Sequence, residues 1–106
     1  MMGVVDVLLL YLDDCPNWRL AEARLREALA GIGDTTSEVI FQLVRTPEEA
    51  EQAGFRGSPT ILVNGTDPFA GPGDPVGLSC RLYRSETGAE HAPSVEQLRS
   101  VLADAR

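Results

Sequence analysis

The chain predicts a single α/β domain spanning residues 1–106, in the order β-α-β-α-β-β-α, with a mixed four-stranded sheet and helices on both faces. Three observations carry this reading. Residues 4–12 are nearly continuous in apolar side chains instead of alternating, as in a central strand covered on both sides. A stretch of helical periodicity follows, then a second apolar run at 39–44, which together make a βαβ unit. Two short apolar segments, 60–63 and 78–83, precede a last helix, and short right-handed connections leave few ways to arrange such elements.

Each element has a local justification. After Pro16, a residue suited to the first helical position, Ala21, Leu25, Ala28, Leu29 and Ile32 fall on one side, while Arg19, Glu22, Arg26 and Glu27 occupy the rest. Gly31 and Gly33 mark the end of that helix. Thr46-Pro47-Glu48-Glu49 is a capping box with proline at the first helical position, opening a short helix that stops by Gly54. Ser94-Val95-Glu96-Gln97 caps a final helix whose Leu98, Val101, Leu102 and Ala105 share a face. In 78–83, Leu78, Cys80 and Leu82 share one strand face, expected to pack into the core. Residues 65–76 and 85–93 read as irregular, and Asn64-Gly65-Thr66 as a turn.

A length of 106 residues suffices to bury a core without metal or disulfide staples. The formal charge of −7 argues against nucleic acid or an anionic membrane as partner, because both require a basic face. Two widely separated cysteines, Cys15 and Cys80, form neither a disulfide framework nor a zinc-ligand spacing. No metal site and no cofactor are expected, and Gly71-Pro72-Gly73 lacks the flanking strand and helix of a phosphate loop. With no basic leader and no apolar run long enough to span a bilayer, the chain reads as cytoplasmic. The lone His91 falls in a loop, so no Cys-His pair follows from spacing.

Chemistry concentrates in Asp13-Asp14-Cys15-Pro16-Asn17-Trp18, where a thiol lies between an apolar strand and a helix start. Unpaired N–H groups and the positive end of the helix dipole favour thiolate there. Asp13 and Asp14 oppose that effect, with Arg19 and Arg56 as candidate counter-charges. Asp14 is equally a candidate helix cap, and Trp18 either covers core or lines a substrate groove. A site of this kind, beside two aspartates, is expected to leave Cys15 accessible.

A strand, then Cys15-Pro16-Asn17-Trp18 at a helix start, then Ser58-Pro59-Thr60 before the third strand, resembles the thioredoxin and glutaredoxin superfamily along nearly the whole chain. The resemblance implies a thioredoxin-like fold, a cis bond at Pro59 and a reactive Cys15 lined by Asp13, Asp14, Pro16, Asn17, Trp18, Ser58, Pro59 and Thr60. Where the dithiol enzymes carry a resolving cysteine three residues on, this chain has Trp18, so an exchange cycle within the motif is excluded. The glycine pair and acidic residue with which glutaredoxins hold glutathione are absent between residues 83 and 94.

The implied function is a monothiol thiol-disulfide oxidoreductase whose substrate is a small thiol or a protein disulfide, resolved by an external thiol. A looser resemblance to the alkylmercury lyases implies soft-metal or organomercurial chemistry using Cys15, Cys80 as a second thiol, and Asp13 or Asp14. The third expectation is a non-catalytic thioredoxin-like binding module, since the resolving cysteine is missing.

Overall fold

The computed structural model describes residues 5–70, 77–78, 81–85 and 88–105. These residues form five strands and three helices in the order β1 (Val7–Tyr11), α1 (Trp18–Gly31), β2 (Val39–Leu43), α2 (Pro47–Ala53), β3 (Thr60–Val63), β4 (Tyr83–Ser85), β5 (Gly88–Glu90) and α3 (Val95–Asp104). Strand β1 is central in a mixed sheet of order β2-β1-β3, parallel to β2 and antiparallel to β3.

Successive β1 side chains alternate between two cores, which explains the continuous apolar run. Val7 and Leu9 join Ala21, Leu25, Ala28 and Leu29 of α1, Ile61 and Val63 of β3, and Leu98 and Leu102 of α3. Leu10 faces the other way, into a smaller cluster with Val44, Ala50 of α2 and Phe55. Helices α1 and α3 thus cover one face of the sheet, and the seven-residue α2 covers part of the other.

The capping signals are realised in detail. Thr46 Oγ1 accepts the Glu49 N–H, Pro47 occupies the first helical position, and Gly54 closes α2 at φ 68°, a conformation that favours glycine. At α3 the Ser94 side chain accepts from Gln97 N, and the Gln97 side chain accepts from Ser94 N. Asn64 and Gly65 both take positive φ, the turn that lets Val63 pair with Thr66.

Three expectations are corrected. Helix α1 begins at Trp18 with Asn17 as its N-cap, so Pro16 lies before the helix and not at its first position. Arg19 N bonds to Pro16 O and Leu20 N to Asn17 O, a tightened i to i+3 turn that holds the preceding residues near the helical path. Among the described residues the main sheet has three strands, and Tyr83–Ser85 pairs with Gly88–Glu90 in a two-stranded sheet. That second strand falls within the segment expected to be irregular.

The strand expected over 78–83 begins only at Tyr83, and Leu78 and Leu82, expected inside, are 42% and 60% exposed, whereas Arg81 and Tyr83 are buried. Arg81 takes its inward position together with a buried partner for the cation, Asp67. Cys80, and with it the second-thiol assignment, lies outside the described residues.

Leu25 is fully buried between the sheet and α3. Leu25→Ala is expected to lower stability by about 2–5 kcal/mol, against about 1 kcal/mol for the cap variant Ser94→Ala, in chemical denaturation of both.

Candidate active site

The site forms where the C-terminal end of β1 meets the segment entering β3. Cys15 N bonds to Leu12 O, closing a turn that delivers the cysteine beside Ser58. The Ser58–Pro59 peptide bond is cis.

Ser58 is fully buried and bonds through both its side chain and its backbone. Its Oγ accepts the Leu12 N–H at 3.0 Å, tying the end of β1 to the proline segment. Its carbonyl accepts the Arg81 N–H at 2.9 Å and lies 3.8 Å from Cys15 Sγ, as acceptor for the thiol. From the other side, Asn17 Nδ2 donates to Cys15 Sγ at 3.5 Å. The sulfur is therefore held between an acceptor suited to S–H and a donor suited to thiolate.

Cys15 is only 2% exposed, contrary to the expectation of an accessible thiol. Asn17, which bonds to the sulfur, and Trp18 are half-buried, and Pro16 is exposed. Asp13 and Asp14 are exposed, and the N-cap position of α1 is held by Asn17, so neither aspartate is the N-cap. Thr60 is structural: its hydroxyl donates to Gly57 O at 2.6 Å and accepts from Arg56 N at 3.1 Å, which shapes the turn before Pro59.

Of its two expected roles, Trp18 takes that of covering core. It packs against the main core, its ring tilted against Tyr11 at 4.8 Å and edge-on to Phe41 at 5.9 Å, while the Arg19 guanidinium lies 5.1 Å from its ring. Arg19 thus engages an aromatic face. Beside the Cys15 turn, Leu12, Asp13, Asp14, Leu43, Val44, Arg45 and Leu78 line a cavity of about 530 Å³, wide enough for a small ligand or a peptide side chain.

Sequence reasoning missed the support behind Pro59. Arg81 Nη1 pairs with Asp67 Oδ2 at 2.6 Å, with side chains 8% and 2% exposed. The Arg81 guanidinium also lies 4.5 Å from the Tyr83 ring, and the Tyr83 hydroxyl donates to the carbonyl of Pro59 itself. Asp67 Oδ1 accepts from Phe69 N, and Phe69 meets Tyr83 edge to face. Two signals were available: Asp67-Pro68-Phe69 can form a turn closed by the aspartate, and a lone arginine inside an apolar run needs a buried partner.

Burial pushes the Tyr83 phenol well above the usual tyrosine range, with Arg81 opposing the rise and Asp67 adding to it. Among the described residues no three His, Cys, Asp or Glu side chains gather as metal ligands, and no helix is long and apolar enough to cross a membrane. His91 is exposed.

Two outcomes follow from the buried pair and the phenol. Asp67→Ala strands the Arg81 charge and is expected to destabilise by about 3–5 kcal/mol in urea unfolding. Above about pH 10 the unfolded chain loses a phenolic proton that native Tyr83 retains, so stability falls as pH rises, and Tyr83→Phe should flatten that fall. Parallel alkaline slopes for wild type and Tyr83→Phe would contradict the burial argument. A scan against protein-family models and a search of curated proteins both return no match for this chain.

Proposed function

We propose that the protein is a monothiol thiol-disulfide oxidoreductase of thioredoxin-like type, with Cys15 as nucleophile. The observation that carries this reading is the sulfur held between Asn17 Nδ2 and the carbonyl of Ser58, the residue before cis Pro59. We infer further that β4 continues the main sheet beyond β3, as the thioredoxin-like topology requires. In support, Arg81 N bonds to Ser58 O and the Tyr83 hydroxyl to Pro59 O, which lays the chain entering β4 alongside the segment entering β3.

In the reaction, Cys15 thiolate attacks one sulfur of a substrate disulfide. A mixed disulfide forms on Cys15, and the other substrate sulfur leaves as a thiolate that takes a proton from water. An external thiol, having lost its proton to water, then attacks the substrate sulfur of the mixed disulfide as thiolate, which forms a new disulfide and returns Cys15 as thiolate. Trp18, standing where the dithiol enzymes have a second cysteine, cannot perform this second step.

Asn17 stabilises the attacking state, because its amide donates to sulfur and gains most when the sulfur is charged. Ser58 O favours the protonated state, so leaving that acceptor accompanies activation. Since Cys15 is 2% exposed, the Pro16-Asn17 turn must shift outward for a disulfide to reach the sulfur.

A second reading engages both cysteines in binding a soft metal or an organomercurial. It is favoured by one contact: Arg81, the residue that follows Cys80, donates its N–H to the same Ser58 carbonyl that faces Cys15 Sγ. Thiolates are the ligands such metals select.

Cys15→Ser is expected to abolish disulfide reduction with little loss of stability, and activity retained in that variant refutes the assignment. Asn17→Ala should move the pH midpoint of Cys15 alkylation upward and slow the reaction at neutral pH, while Asn17→Gln restores part of the effect. An unchanged profile would remove Asn17 from the mechanism. A thiol that is slow at every pH, with an unperturbed midpoint, would favour a non-catalytic binding module. Under mild oxidation the monothiol reading expects no loss of about two daltons from the intact monomer, whereas a reversible loss would favour the two-cysteine reading.

A further inference from the structure

The sheet face carrying α2 is only partly covered. The register aligns Ile40, Leu8 and Leu62 across all three strands, making one apolar rung on that face. Helix α2 is seven residues long and packs over the neighbouring positions Leu10 and Val44. Ile40 is left 55% exposed, and Leu8 and Leu62 half-buried.

Two adjoining cavities follow this rung, of about 440 and 410 Å³, with Leu8, Leu62 and Gly65 lining both. Asp6 and Glu38 edge the first and Glu49 the second, and among the described residues no arginine lines either one. The rung lies at the N-terminal half of β1, away from the Cys15 turn that follows its C-terminal end.

We propose that this groove docks a short segment of a partner protein in which apolar side chains are flanked by arginine or lysine. The apolar component would cover Ile40, Leu8 and Leu62, as burial of half-exposed aliphatic surface favours. The flanking cations would meet the Asp6, Glu38 and Glu49 carboxylates. A second copy of this chain is disfavoured as occupant, because a two-fold contact would set the same carboxylates against each other in a chain of formal charge −7. The inference is independent of the chemistry assigned to Cys15.

The test is an NMR titration of the full chain with an eight-residue peptide alternating leucine and arginine, beside a control peptide with glutamate in place of arginine. The proposal expects methyl shifts confined to Leu8, Ile40 and Leu62, no binding of the control, and weaker binding at higher salt. Ile40→Glu and Glu38→Arg change exposed side chains, and each should weaken binding about tenfold or more while leaving the melting curve in place. Shifts centred on the Cys15 side, equal binding of the glutamate peptide, or wild-type affinity in both variants would overturn it. So would sedimentation showing a wild-type dimer that Ile40→Glu dissolves, since the groove would then be a self-interface.

Discussion

The site depends on how the backbone and hydroxyl of Ser58 are used. This one buried residue joins three parts of the chain: its hydroxyl anchors the end of β1, and its carbonyl receives the Arg81 amide while facing the Cys15 thiol. Each of these groups is withdrawn from water, so each needs a protein partner or incurs a cost of about 1–3 kcal/mol. Satisfying all of them at once fixes where the sulfur lies relative to Pro59.

Behind that junction stands a second layer. The Asp67–Arg81 pair is almost wholly buried, and such pairs pay a desolvation penalty that their mutual attraction only partly returns. What the pair offers is position. Arg81 brings its own amide to Ser58 O, and the next inward residue, Tyr83, brings its hydroxyl to Pro59 O. Asp67 follows β3 by a short turn, so the proline segment is held by groups arriving from both sides in sequence.

Much of the fold was legible because periodic apolar runs and capping residues act locally. The continuous run in β1 announced two cores, and Thr46 and Ser94 announced α2 and α3 before any tertiary contact was known. The reading failed where long-range polar contacts enter. Apolarity alone put Leu78 and Leu82 inside, but both are exposed, and Arg81 is buried together with Asp67, 14 residues before it, as partner of the cation. The accessibility of Cys15 was misjudged for a related reason: the side chain of the N-cap Asn17 bonds to the sulfur two residues back and makes no capping bond to α1. At the site, Cys15, Asn17, Ser58 and Pro59 were legible from local sequence, whereas Asp67 and Tyr83 were visible only through their contacts.

A thiol can be both buried and chemically useful if its ionised form is met by a donor and its exposure is gated by a short turn. The most direct measurement of that claim is peptide mapping of the native chain after exposure to a small aromatic disulfide reagent. The account predicts one mixed-disulfide adduct, on Cys15, discharged by excess thiol to regenerate the unmodified protein. An adduct on Cys80 alone, or no adduct until the chain is unfolded, would contradict it.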